Sequence, residues 1–339
     1  MIPPMKRRLS LRPLIFATCL VSGITLLAPP TSAADRKDEK KEATDLLARA
    51  TQVSNIRADG APPFIMRATF RLGNESTGET GAYSETWISK DKWRREVVIG
   101  KLRRLEIADG RKKWILDQDL NPGTFTALES ILKMDSPGKD ANAKGVKTRE
   151  VAGIQATCAR FDSRFQKEFY CAAPTDGTLL AREVDWFGRK SSTSYTDYQK
   201  FGDYLFPRAV HDVHSERDPL VISVSQLSAE VPSDSSLFSP PPGSVELGNC
   251  DRNVMTYPKV EHQPDLQFPE NAHAAKALVL LSLIVGTDKK PHMIHVVRTG
   301  GAEFDIEAIR AVQTWTFSPA MCHGEPVSIM INVEVQFHR

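Results

Sequence analysis

The chain lacks the short signatures from which most enzymes are read. It has no glycine-rich phosphate loop, no G-x-S-x-G nucleophile turn and no H-E-x-x-H zinc motif. Its carboxylates are scattered, with no pair whose spacing alone would set them in one catalytic site. The expectation is a protein that is not an enzyme and carries no cofactor. A C-x-x-C pair is also missing, which argues against structural zinc. H-x-x-H spacing occurs twice, at His211/His214 and His292/His295. Both fall on expected strands, where residues three apart point to opposite faces, so neither pair is expected to share a metal. Charge of one sign is lacking as well. The 44 basic and 42 acidic residues leave a formal +2, too little to draw the chain to nucleic acid.

What is present starts at the N-terminus. "MKRRLSLR" holds Lys6, Arg7, Arg8 and Arg12, and no acidic residue precedes Asp35. The apolar run in "PLIFATCLVSGITLLAPP" is roughly fifteen residues, short of the ~20 that a spanning helix needs. Small residues in "TSAAD" then offer cleavage after Ala33 or Ala34. Residues 1–34 read as a secretory signal peptide, which places the mature protein in the periplasm or otherwise outside the cytoplasm. An uncleaved inner-membrane anchor and a lipoprotein modified at Cys19 are the alternatives.

Four cysteines then remain: Cys158, Cys171, Cys250 and Cys322. An even number in an exported chain points to disulfides. "CARFDSRFQKEFYC" reads as two strands around a turn near Ser163 to Gln166, so a Cys158–Cys171 bond closes a hairpin. Cys250 and Cys322 are left to each other.

Residues 41–230 read as an antiparallel sheet domain. "ATDLLARATQVSNI" is a short amphipathic helix after a solvated charge run, with Leu46, Leu47, Ala50 and Val53 on one face. A long series of alternating segments follows, separated by turns such as Asp109-Gly110. "FTALESILKM" interrupts them as a helix, and Lys139 to Lys147 read as an exposed loop. The basic stretch "RREVVIGKLRRLEIADGRKK" reads as a solvated sheet face, with contact to anionic headgroups as the lesser reading. The tryptophans are expected in core or sheet-face packing. Residues 231–249, rich in proline and serine, read as a linker.

Residues 250–339 form a compact unit. "FPENAHAAKA" can open on a short helix. "ALVLLSLIV" is a continuous apolar strand with both faces expected to be covered. "MIHVVRT" returns. In "EFDIEAIRAVQTWTF", Phe304, Ala308, Ile309, Val312 and Trp315 make one helical stripe, with Glu303 or Asp305 expected at its cap. The chain then closes on a strand with Ile331, Val333, Val335 and Phe337 on one side and Asn332, Glu334 and Gln336 on the other. The order is β-β-α-β and the class is α+β.

This last unit resembles the C-terminal domain of TonB-family energy transducers. Phe268-Pro269 stands where the family has Tyr-Pro and Asp288-Lys289 where it has Asp-Gly, while Trp315, Phe317, Pro319 and Ala320 after the helix and Gly324, Pro326 and Val327 in the final turn match directly. The preceding half is similar to TonB-like exported proteins of acidobacterial type, whose sheet resembles the curved antiparallel sheet of LolA-like lipoprotein carriers. The TonB resemblance implies that the final strand lies at a sheet edge and accepts an extended peptide of an envelope or outer-membrane protein. The residues concerned are Val327, Ile329, Ile331, Asn332, Val333, Glu334, Val335, Gln336 and Phe337. The family's anchor histidine has no counterpart, since the first histidine is His211, and its long Pro-Lys spacer is absent. A binding or scaffolding role is therefore expected rather than energy transduction. The LolA resemblance implies the alternative, a lipid or lipoprotein carrier whose concave face is lined by residues such as Phe70, Trp87, Trp114 and Trp186. The sequence carries no signal for an oligomeric state.

Overall fold

The computed structural model describes residues 33–215, 218–231, 234–248, 250, 253–272 and 274–339. The basic segment, apolar run and Cys19 of the expected signal peptide lie outside them. No helix of the described residues is long and apolar enough to cross a membrane.

The first helix, α1 (Ala33–Ser54), starts earlier than the amphipathic pattern suggests. Lys37 to Glu42 are helical but solvated, and only Ala43, Leu46 and Ala50 bury a stripe. Five strands follow: β1 (Phe64–Leu72), β2 (Glu79–Ser89), β3 (Lys92–Ile99), β4 (Leu102–Asp109) and β5 (Lys112–Gln118). Helix α2 (Pro122–Lys133) comes next. Its start is set by Asn121, whose side chain accepts from the Gly123 N–H, and by proline in its first turn. Seven further strands complete the series: β6 (Asn142–Val151), β7 (Ile154–Asp162), β8 (Gln166–Ala172), β9 (Leu179–Trp186), β10 (Arg189–Phe201), β11 (Tyr204–His214) and β12 (Leu220–Ser228). The expected loop at 139–147 is therefore in part strand. Its lysines and small residues are solvent-facing positions of a sheet edge, which polarity alone cannot tell from a loop.

These twelve strands and a short thirteenth, β13 (Val245–Leu247), lie in one antiparallel sheet, in the order β13-β5-β4-β3-β2-β1-β12-β11-β10-β9-β8-β7-β6. Two meanders join where β1 pairs with β12. The sheet curls, and α2 proves it. Glu129 of α2 pairs with Arg95 on β3, while the carbonyl of Asp135 just beyond it accepts from Tyr170 on β8. Along the helix axis the two residues are at most about 9 Å apart. In a flat sheet β3 and β8 would be about 34 Å apart, at the usual strand spacing. The wrapped face buries Phe64, Met66, Tyr83, Tyr195 and Phe206 against Leu46, Leu128 and Leu132 of the two helices.

The expected linker at 231–249 is not free. A 3-10 turn (Ser235–Phe238) buries Phe238 against Leu105 and Ile107. Strand β13 (Val245–Leu247) then pairs with β5. Composition marked this segment as open chain, but its few apolar residues have a sheet face and edge to cover.

The basic stretch also departs from expectation. Arg95 and Arg104 are 4% and 3% exposed. Arg95 Nε donates to Glu85 at 2.8 Å, and Arg57 pairs with the same carboxylate. Burial pushes the Glu85 pKa up, but the two guanidiniums outweigh it and hold the carboxyl at about 2. Arg104 pairs with Glu106 and, at 2.6 Å, with Asp117. Strand alternation does not distinguish an outward face from the inside of a curled sheet.

The C-terminal unit contains short strands β14 (Met255–Thr256) and β15 (Val260–His262), then the long strands β16 (Lys276–Val285) and β17 (Pro291–Arg298). Helix α3 (Ala302–Gln313), β18 (Thr316–Phe317), β19 (Ala320–Cys322), β20 (Glu325–Val327) and β21 (Ile329–His338) follow. No helix forms at "FPENAHAAKA" among the described residues. Helix α3 starts at Gly301 without a side-chain cap. Asp305 instead reaches back to accept from the Gly300 N–H at 2.9 Å and the Thr299 hydroxyl at 2.6 Å. Phe304, Ala308 and Val312 pack on Val279, Leu281, Val335 and Phe337. The other face of β16 is turned to the large sheet's side. Ser282 shares a cleft with α2 residues, and its register partner His295 lies 3.3 Å from Asp117 Oδ2.

Candidate functional site

The long strands of the C-terminal unit form a three-stranded sheet in the order β17-β16-β21. It has two edges, and they differ. The register of β17 on β16 shifts twice, between Leu280 and Leu281 and between Ser282 and Ile284. Met293 on β17 has φ +50°. Such irregularity blunts an edge, because a partner strand cannot pair continuously with it. Strand β21 pairs with β16 over ten consecutive residues without a shift.

The direction of each β21 backbone group follows from one bond. The Arg339 N–H donates to the Ala275 carbonyl at 3.0 Å. In an unbroken antiparallel ladder, bonding residues alternate. Residues 329, 331, 333, 335 and 337 therefore turn their backbone groups to β16. Met330, Asn332, Glu334, Gln336 and His338 turn theirs outward, and their side chains are exposed. The near end of this edge is occupied: the Gly248 N–H donates to the Ser328 carbonyl at 2.8 Å. A Cβ on Gly248 would stand 2.5 Å from Val327 Cβ, so only glycine fits there.

The residues read from sequence as a binding edge thus divide. Ile329, Ile331, Val333, Val335 and Phe337 are backbone partners of β16 with their side chains on the α3 side. Val327 belongs to β20 and packs beside Gly248. Asn332, Glu334 and Gln336 face outward, together with Met330 and His338, which the pattern reading did not include. Strict alternation held the signal for both additional residues.

Most of the motif residues pack within the unit around this strand. Phe268 packs edge-on against Phe304 and Phe337, at 5.5 and 6.4 Å between ring centroids. Pro269 accepts from the Ala272 N–H at 3.2 Å. Trp315 and Phe317 are buried, and Pro319 is half-buried before β19. His323 and Gly324, at φ +51° and +88°, turn the chain between β19 and β20, and Pro326 is exposed on β20. The two disulfides are Cys158–Cys171, a cross-strand pair on β7 and β8, and Cys250–Cys322. The second ties the end of the β13 segment to the turn before β20.

The four residues expected to line a lipid cavity are not brought together. Phe70 and Trp87 are buried in the core under the helices, where Trp87 stacks on Phe64 at 5.7 Å. Trp114 packs with Phe238 in a separate cluster and donates to Glu246 on β13 at 3.1 Å. Trp186 is 45% exposed at a hairpin end. The inside of the curled sheet is filled by α1 and α2, and the cavity at their junction, beside Leu47 and Tyr170, measures about 20 Å³. That is room for about one water and too little for an acyl chain. Neither H-x-x-H pair forms a metal cluster among the described residues. His292 instead meets Asp288 at 2.9 Å.

The geometry therefore defines a small α+β domain with one regular, exposed strand edge, attached to a large antiparallel sheet. Residues 264–338 match the family described as Gram-negative bacterial TonB protein C-terminal. No curated protein matches the chain. Among solved structures it is similar to a LolA superfamily protein from Nitrosomonas europaea, at 12% identity and a TM-score of 0.40, covering 58% of this chain and 97% of that one. A DUF1329 family protein from Desulfovibrio piger matches at 13% identity and a TM-score of 0.44, covering 59% and 97%. The Pseudomonas aeruginosa MucA/MucB complex matches at 12% identity and a TM-score of 0.29, covering 82% and 99%.

Proposed function

We propose that this is an exported, periplasmic protein-interaction module that binds an extended segment of an envelope or outer-membrane protein by strand addition to β21. The observation that carries the reading is the contrast between the two edges of one sheet: β17 is bulged and β21 is regular over ten residues. Outward N–H and C=O groups on alternate residues from Met330 to His338 supply the bonds that a partner strand needs. The side chains on those residues are polar apart from Met330, so affinity comes from the backbone ladder and selectivity from the side-chain row. Gly248 sets the register limit, because a partner cannot extend past Ser328.

Proline gives the test. It removes an N–H and is tolerated in strands where that N–H faces solvent. Asn332→Pro should leave the fold intact and abolish capture of the envelope partner held by the unaltered protein. Gln336→Ala should retain capture. Asn332→Pro that stays folded, by circular dichroism and thermal melt, and still captures the partner would sink strand addition at this edge.

A further inference from the structure

We infer that the ends of the β7–β8 and β9–β10 hairpins form a tip that docks on the surface of an anionic phospholipid bilayer. Phe165, Trp186 and Phe187 are 50%, 45% and 72% exposed. The register pairs Gln166 with Trp186, so the two turns lie side by side. The rings form one patch: Phe165 to Phe187 is 6.0 Å and Trp186 to Phe187 is 5.9 Å between centroids.

The backbone argues that this patch is not incidental. Phe187 and Gly188 make the two-residue turn between β9 and β10, at φ +51° and +87°. That turn favours asparagine or glycine at its first position, and a bulky side chain there is strained. Phe187 takes the strained conformation and points its ring into solvent, where packing in the folded protein returns little. Strain retained without internal reward marks a contact with something outside the molecule.

Charge identifies that contact. Arg164 lies over the Phe165 ring at 5.2 Å and Arg189 over Trp186 at 5.1 Å. Lys167 and Lys190 are exposed beside them. The neighbouring acids are engaged: Asp162 pairs with Arg160 at 2.7 Å, and Asp185 accepts from the Gly188 N–H at 2.8 Å. The result is an exposed aromatic patch with a cationic rim. Trp and Phe settle at the headgroup level of a bilayer, and Arg and Lys attract its anionic lipids. The three rings are presented outward at the hairpin ends, and a bilayer surface requires no enclosure to receive them. This inference is independent of the β21 edge, which lies on another sheet.

The test compares the full chain with its variants, so that residues 1–34 are common to all. Vesicles of phosphatidylglycerol with phosphatidylethanolamine should bind the protein about tenfold more tightly than phosphatidylcholine vesicles. Brominated phosphatidylglycerol should quench a fluorescence component that disappears in Trp186→Phe. Phe165→Ser with Phe187→Asn should weaken binding by about tenfold or more, and its melting temperature should not fall, because asparagine suits the left-handed position. Arg164→Glu with Lys190→Glu should erase the preference for anionic vesicles. Undiminished binding by the aromatic variant, or quenching that does not depend on Trp186, overturns the proposal. So does a tip shielded by a protein partner while vesicles of both kinds stay unbound.

Discussion

The two main sheets of this protein treat their edges in opposite ways. The large sheet closes both. One end is β13, only three residues long, and the other is β6, which α1 packs against and which carries a register shift between Ala143 and Gly145. The small sheet blunts β17 and leaves β21 straight and regular. An exposed regular edge is an aggregation liability. That contrast between three managed edges and one open edge is the ground for the strand addition proposed at β21. The sheets also differ inside. The large one buries Arg57, Glu85 and Arg95 in one ionic cluster, while the small one has an apolar core of Val, Leu, Phe and Trp.

The largest test of that contrast is Glu85→Ala. It leaves two guanidiniums buried without their shared carboxylate and should cost about 4 kcal/mol, within the range for a broken buried ion pair. Denaturant titration of the full chain would read the loss in the large sheet's transition. Its pH dependence carries a definite sign. The native carboxyl titrates at about 2 against an ordinary 4.5. Its stabilising contribution is therefore complete above about pH 4.5 and fades as pH falls toward 2. The stability gap between the protein and Glu85→Gln should shrink over that window, and a gap unchanged down to pH 2 would refute the assignment.

The disulfides come next. Cys250–Cys322 closes 72 residues and Cys158–Cys171 closes 13. Chain entropy assigns about 4 and about 3 kcal/mol to them, so serine at the first pair should cost more, as measured by melts of the separate double variants. Equal losses would mean that loop length does not govern their contribution. Then comes proline on β21. Val333→Pro removes a bond to β16 and should cost about 3 kcal/mol or more, whereas Asn332→Pro should cost well under half of that. Similar costs would overturn the assignment of outward amides. The smallest effect belongs to Arg298→Ala. Its pair with Glu334, at 3.9 Å and mostly exposed, should be worth less than about 0.5 kcal/mol, and a larger loss would mean that the open edge is braced by charge.

Much of the local structure was legible in the residues. Period-two alternation marked the strands on either side of α2, and the helical stripe from Phe304 marked α3. The cysteine spacing indicated both bonds. Three of the readings that did not survive bear on the candidate site or on how the chain covers its large sheet, and each failed for a physical reason. The stretch after Val231 looked like a linker because proline and serine outnumber Phe238 and Val245, yet two or three apolar groups suffice to seat a segment on an available sheet. Arg95 and Arg104 looked solvated because a charged residue on an alternating strand usually is, and no local signal tells that Glu85 and Glu106 will meet them inside a curl. Phe70, Trp87, Trp114 and Trp186 looked alike as aromatics, but the fold distributes them over two buried clusters and one exposed tip.

The sequence alone determined most of the elements, the two cysteine pairs and the TonB-like character of residues 264–338, because periodicity, turn residues and short-range spacing are properties of neighbours along the chain. It also determined that residues of β21 alternate between core and solvent. Only the tertiary structure decided which backbone groups of that strand are free, since this depends on which neighbour pairs with β21, in what register, and where Gly248 blocks its start. The curl of the large sheet, the filling of its interior by α1 and α2, and the meeting of Phe165 with Phe187 were decided in the same way. Each depends on residues far apart in sequence arriving at one place, and no pattern within a single segment encodes that arrival.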